Sequence, residues 1–203
     1  MVVDDASARA ICIEASKKTA LEYVMVYDMR TGLVIGQHAG EPDGAGFTSA
    51  IRTVALDAQY KLKVTHTHPL DGAFSLSPVD LLVLWDYAGI YEIEAVTLDG
   101  SWFRARAISQ SSAMAKAYIN RVFIDLYKIC LTVPQHDPLS VEEVRYLHEA
   151  STDVCCRALA KREIIEYESN ESDQVANGWK PHGALRDELV RLTVARSRMP
   201  QRY

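Results

Sequence analysis

The chain has 203 residues, 48% of them hydrophobic and 24% charged, with a formal net charge of −5. That is room for one sizeable domain, or a domain with a smaller appendage, of ordinary globular composition. The acidic balance disfavours general binding to nucleic acid or to an anionic membrane, and no apolar run approaches the roughly 18 residues that a membrane span needs.

The N-terminus, MVVDDASARA, lacks the basic segment and apolar core of a secretory signal. Cys12, Cys130, Cys155 and Cys156 fit neither a zinc knuckle nor a disulfide framework, which predicts reduced, mostly buried thiols in a cytoplasmic protein. Residues 5–20 read as a short helix. LEYVMVYD (21–28) reads as a strand, MRTG as a turn and GLVIGQHAG (32–40) as the returning strand of a hairpin. EPDGAG is a loop by composition. Residues 47–60 have helical spacing, with Phe47, Ile51, Val54, Ala55 and Ala58 on one side. KLKVTHTH (61–68) is a strand, and DLLVLWDYAGI (80–90) a largely buried helix. YEIEAVTL and SWFRARAI are strands around Asp99-Gly100, a strong signal for a two-residue hairpin link. This alternation predicts an α/β or α+β domain.

After residue 109 the pattern turns helical. Residues 110–131 carry a stripe of Ile119, Val122, Phe123, Leu126 and Tyr127. VPQHDP breaks the chain. Ser140 with Glu143 then fits a capping box at the start of the helical run VEEVRYLHEASTDVCCRALAKREIIEYE. YESNESDQVANGWKPHG is polar and reads as a loop, and RDELVRLTVARSR as a last helix.

The stretch THTHPLDGAFSLSPVD (65–80) carries the chemistry. Residues i and i+2 of a strand share a face, so His66 and His68 can converge on one point. Pro69 stops the strand. The chain then enters a helix at Ser77-Pro78, serine being a favoured N-cap and proline a favoured first helical residue. Asp80 falls in the first turn, its carboxylate free to turn back toward the helix mouth. His66, His68 and Asp80 supply three zinc ligands and leave the fourth position to water, the pattern of a catalytic zinc. Each fragment has an ordinary reading by itself: a surface His-x-His, a helix start, an aspartate serving the helix dipole. Their order within fifteen residues sets them apart.

The segment resembles the JAMM motif of the JAB/MPN-type metallopeptidases, His-x-His-Pro, a loop, then Ser-x-x-Asp, standing here as His66, His68, Pro69, Ser77 and Asp80. The family also carries a glutamate at a strand near the start of the domain, and Glu22 in ALEYVMVYDMRTGLVIGQHAG matches it in position and setting. The hairpin EAVTLDGSWFRAR looks like the bacterial and phage-associated branch. The resemblance covers roughly residues 5–108. It implies a JAB/MPN-like zinc metallopeptidase domain over residues 1–108: an α/β, deaminase-like fold with a central mixed sheet flanked by helices. An all-helical region over 109–203 follows, matching nothing. One departure is the spacing, since eight residues separate His68 from Ser77, one more than the family commonly has. Ser75 is the other serine, but only Ser77 has Asp80 at the right offset. The longer loop, Leu70 to Leu76, with Gly72 and Phe74, reads as a substrate-gating rim.

The implied activity is zinc-dependent hydrolysis of a peptide or isopeptide bond in a protein or peptide substrate, within a bacterial or phage-related processing or conflict system. Glu22 is then the general base and Ser77 the oxyanion donor, although an N-cap is the ordinary role of such a serine. Two other classes compete: a JAB-fold interaction module whose helical half binds a protein partner, and a RadC-like DNA-linked role, which the net charge disfavours. Elsewhere His38 reads as polar surface, and His136, His148 and His182 lack ligand spacing. Trp85 and Tyr87 read as core. Arg104 and Arg106 read as a solvated strand face, or as partners for a substrate carboxylate.

Overall fold

A computed structural model describes residues 1–40, 46–68, 75–108, 112–132 and 140–197. Pro69, Leu70, Gly72, Phe74 and His136 lie outside the described residues. In chain order the elements are α1 (Asp5–Thr19), β1 (Tyr23–Asp28), β2 (Val34–Ala39), α2 (Ser49–Ala55), β3 (Leu62–His68), α3 (Pro78–Asp86), β4 (Ile90–Thr97) and β5 (Trp102–Ala107). They continue with α4 (Ser112–Thr132), α5 (Val141–Lys161), β6 (Ile165–Asn170), α6 (Asp173–Trp179), a 3-10 turn at Lys180–His182, and α7 (Gly183–Arg196). The result is an α/β fold on a six-stranded sheet of order β2-β1-β3-β4-β5-β6. Only β3 and β4 pair in parallel; the other neighbours are antiparallel. Among the described residues, no helix is long and apolar enough to cross a membrane.

Strand alternation gives the sheet two unlike faces. Val24, Val26, Leu62, Val64, Ile93, Ala95 and Ala105 turn to one side and join the main core with Leu81 and Leu84 of α3, Ile119 and Val122 of α4, and Leu159 of α5. Full burial of each leucine or isoleucine contributes about 1.5–3 kcal/mol. The intervening residues turn to the other side, under α1, where Met25 and Tyr27 pack with Ala8 and Cys12. Lys63, Glu92 and Glu94 share that side and are fully buried. An Asp4–Ser7 capping box fixes the start of α1, removing orphan donors that cost about 1 kcal/mol when a cap is lost.

Several boundaries differ from the sequence reading for local reasons. The helix of residues 47–60 is only Ser49–Ala55. It stops where the Gly89 amide takes the Ala55 carbonyl at 2.8 Å; a Cβ on Gly89 would lie 2.6 Å from the Asp57 carbonyl oxygen. The helix after Ser77 likewise ends at Asp86, because Ile90 already begins β4. The β4–β5 hairpin forms, but its link is longer than the Asp-Gly pair: Thr97 N–H donates to Ser101 O, enclosing Leu98, Asp99 and Gly100. Gly100 takes φ +92°, as the last residue of a three-residue turn requires.

The region after residue 109 is not all helical. The segment IEYESN leaves the helical run and pairs antiparallel with β5 along its length, Ala107 with Ile165 through Trp102 with Asn170. Its period-two pattern, with Ile165 buried and Glu166, Glu168 and Asn170 exposed, is masked in sequence by the long helix before it. The turn between them puts Glu163 at φ +56°. The polar segment after β6 also holds α6, capped by Ser172. The main core runs through both halves of the chain, with Leu147, Val154, Cys155, Cys156, Leu189 and Val190 in the same cluster as Val24 and Val64.

Candidate metal centre

Leu62 and Val64 face the apolar core, so His66 and His68, on the same face, stand at the core-side end of β3. His66 is 3% exposed and His68 partly buried. Their Nε2 atoms lie 3.0 Å apart. After the connecting loop, α3 starts beside them with a reciprocal cap. The Asp80 N–H donates to Ser77 Oγ at 3.2 Å, and the Ser77 N–H donates to Asp80 Oδ2 at 2.7 Å. The cap turns the Asp80 carboxylate back over the helix start, where Oδ1 is 3.3 Å from His66 Nε2 and Oδ2 is 3.8 Å from His68 Nε2.

These distances fit a small metal ion. Zinc–ligand bonds of about 2.0–2.1 Å in tetrahedral geometry place donor atoms roughly 3.3 Å apart, close to the 3.0 and 3.3 Å found around His66. Two imidazole nitrogens facing each other at 3.0 Å need a shared proton or a cation between them, since two lone pairs repel. The charge balance points the same way. Burial alone would lower the His66 pKa, but the Asp80 charge and hydrogen bond, the Glu22 charge and the Glu94 backbone carbonyl outweigh it and raise it to about 9. Burial opposes ionisation of Asp80, yet His66, His68 and Ser77 hold its carboxyl well below the usual range. The site is built to keep an anion ionised beside a positive charge. Among the described residues, the buried His66 Nδ1 has no partner of full hydrogen-bond geometry.

Glu22 lies just before β1, its carbonyl taken by the Gly40 N–H at 2.8 Å. The β1–β3 register pairs Val24 with His66, and continuing it sets Glu22 across from His68. Its charge is felt at His66. Thus His66, His68, Asp80 and Ser77 come together, with Glu22 near enough for its charge to act on His66. Of the gating loop, Ser75 and Leu76 are described, and both are buried rather than part of a rim; residues 69–74 lie outside the described residues.

Other expectations sort by contact. Trp85 and Tyr87 pack against the core. His38 is held by Gly46 O at 2.7 Å from Nε2. All four cysteines are free, with Cys12, Cys155 and Cys156 buried, and burial pushes the Cys12 thiol up to about 12, so it is no nucleophile at neutral pH. Arg104 and Arg106 belong to an ion network that the sequence reading missed. Under α1, Lys63 Nζ lies 2.9, 2.8 and 3.0 Å from Asp5, Glu92 and Glu94. Arg9 holds Glu94 at 2.7 Å and Arg106 holds Glu92 at 2.5 Å. Arg104 reaches Asp5 at 3.4 Å and pairs with Glu168. The signal was present as charged residues two apart, Glu92 with Glu94 and Arg104 with Arg106, on neighbouring strands.

No protein-family model matches this chain, and no curated protein or solved structure matches it significantly.

Proposed function

We propose that the chain is a zinc-dependent metallopeptidase of the JAMM type, hydrolysing a peptide or isopeptide bond in a protein or peptide substrate. The observation that carries this reading is the convergence of His66, His68 and Asp80 at the end of β3, with the Asp80 carboxylate already gripped by the Ser77 backbone. The motif order, with Glu22 ahead of β1 and Ser77 three residues before Asp80, supports it further. The setting in a bacterial or phage-related system is carried by the resemblance of the EAVTLDGSWFRAR hairpin.

His66 and His68 would hold a zinc ion through Nε2, and Asp80 through a carboxylate oxygen; the ion would supply a Lewis acid that activates water near neutral pH and polarises a carbonyl. Glu22 takes the proton of the attacking water and returns it to the leaving amine, so the base ends as it began. Ser77 has to trade one role for the other. Its oxygen accepts the Asp80 N–H and its side chain also bonds to the Asp80 carboxylate, so the hydroxyl hydrogen turns from that carboxylate to the carbonyl oxygen as charge develops there.

The deciding experiment is metal analysis of the purified chain and of His68→Ala, alongside cleavage of a panel of peptide and isopeptide substrates with and without chelator. The expected result is about one zinc per chain, lost in His68→Ala, and cleavage that the chelator abolishes. A wild-type chain that neither retains zinc nor cleaves any substrate after zinc is added would overturn the reading.

A further inference from the structure

Ser75 stands two residues before the serine of the motif and is 1% exposed. Its hydroxyl lies 2.7 Å from the Tyr167 hydroxyl of β6. Tyr167 Oη donates in turn to Asp153 Oδ1 at 2.7 Å. The one Tyr167 hydroxyl hydrogen goes to Asp153, so Ser75 donates across the 2.7 Å contact to Tyr167, with Cys156 Sγ a longer second acceptor at 3.8 Å. Asp153, on α5, is fully buried and is held from its other side by Arg157 Nε at 2.7 Å and by Arg186 at 3.7 Å. Both arginines also pair with Glu171, at 3.3 and 3.0 Å. Beside this chain of bonds, Cys156 Sγ donates to the Leu76 carbonyl at 3.6 Å. Among the described residues, the side chains bonded to Ser75 and to the Leu76 carbonyl, Tyr167 and Cys156, come from the second half of the chain.

The next residue along is Ser77, whose N–H orients the Asp80 carboxylate at 2.7 Å. Ser75, Leu76 and Ser77 are joined by rigid planar peptides, so fixing the first two restricts where the Ser77 N–H can point. We propose that Tyr167 and Asp153 are positioning residues for the metal centre: the buried chain Asp153–Tyr167–Ser75 clamps the backbone that aims Asp80. The inference rests on the metal-site reading above and goes beyond it, since it gives residues after 109 a part in building the site. Outer groups that orient metal ligands are typically worth about 10–100-fold in metal affinity. The clamp acts one step further out, so the lower end of that range applies.

The test uses the full chain loaded with Zn²⁺ or Co²⁺, and three variants: Tyr167→Phe, which removes one hydroxyl and keeps the ring, Ser75→Ala, and the double variant. Zn²⁺ affinity is read by chelator competition, ligand geometry by the visible absorption of the Co²⁺ form, and folding by thermal unfolding. The expected result is affinity about 10-fold weaker with an altered Co²⁺ spectrum in each single variant. The double variant should be close to the weaker single variant rather than to the sum of the two, because both changes break the shared Ser75–Tyr167 bond. If Tyr167→Phe does not fold, Ser75→Ala decides alone. Variants that unfold at lower temperature but bind Zn²⁺ and Co²⁺ as the wild type does would show a merely structural bond and overturn the positioning role alone. A wild-type chain that binds neither ion would overturn the metal-site reading and this inference with it.

Discussion

Among the described residues, two clusters bring metal-type ligand atoms within 4.8 Å of one another: His66, His68 and Asp80 at the end of β3, and Asp5, Glu92 and Glu94 under α1. They sit on opposite faces of the same sheet, the first on β3 and α3 and the second on β4 and α1, and differ in what balances their charge. The carboxylate cluster is filled by the chain itself, with Lys63 Nζ within 3.0 Å of all three acids and Arg9 and Arg106 on the flanks. The histidine cluster has one carboxylate and two facing imidazole nitrogens, and its positive charge has to come from a proton or from an ion. Proximity of ligands therefore does not distinguish a metal site from a salt network. The presence of a covalently attached cation does.

The largest effect should fall on metal content. His66→Ala and His68→Ala should each lose the zinc, while Glu92→Gln and Glu94→Gln keep it, as read by metal analysis of folded protein. The opposite pattern would exchange the roles of the two clusters.

Next in size is the internal cation. Lys63→Met leaves Glu92 and Glu94 buried and facing no ammonium, and breaking a buried ion pair by removing one partner costs about 3–5 kcal/mol. Denaturant unfolding measures this directly. A variant as stable as the wild type would mean that the arginines alone balance those acids.

Glu22→Gln probes the proposed metal centre without touching its proposed ligands. Zinc content and unfolding temperature should hold, while turnover falls by about 10²–10⁴-fold, the usual contribution of a positioned base. Wild-type turnover in this variant would send the search for the base elsewhere, and loss of zinc would make Glu22 a ligand.

The smallest effect is a pH dependence confined to the carboxylate cluster. Burial opposes ionisation of Asp5, but Tyr27, Lys63 and Arg9 outweigh it and hold its pKa below the ordinary 3.8. A depressed carboxyl stabilises the fold fully above its unfolded pKa, and that contribution is lost as pH falls through the folded value. Acid unfolding of Asp5→Asn should therefore be less steep below about pH 4 than that of the wild type. An unchanged acid limb would show that the Asp5–Lys63 contact at 2.9 Å is too well solvated to matter.

How much of this was legible differs between the two clusters for a physical reason. The candidate metal centre is local. His66 and His68 meet because a strand has period two, and Asp80 is aimed by a cap closed within three residues, so fifteen residues of sequence carry most of the geometry. The ion network is assembled from α1, β3, β4, β5 and β6, and no window of sequence contains it. Its charged residues on the strands look like a solvated face until α1 is laid over them.

The sequence by itself determined the α/β alternation, the two-faced strands, the hairpin at Gly100 and the His-x-His with Ser-x-x-Asp, because each follows from periodicity or from a turn that a few neighbouring residues fix. Only the tertiary structure decided that IEYESN is a strand, since its partner β5 lies far back in the chain and backbone hydrogen bonds across that distance leave no local mark. It alone decided that Ser75 bonds to Tyr167, and that Lys63 can be fully buried with its charge, because both outcomes depend on groups brought close by packing the two halves of the chain onto one sheet.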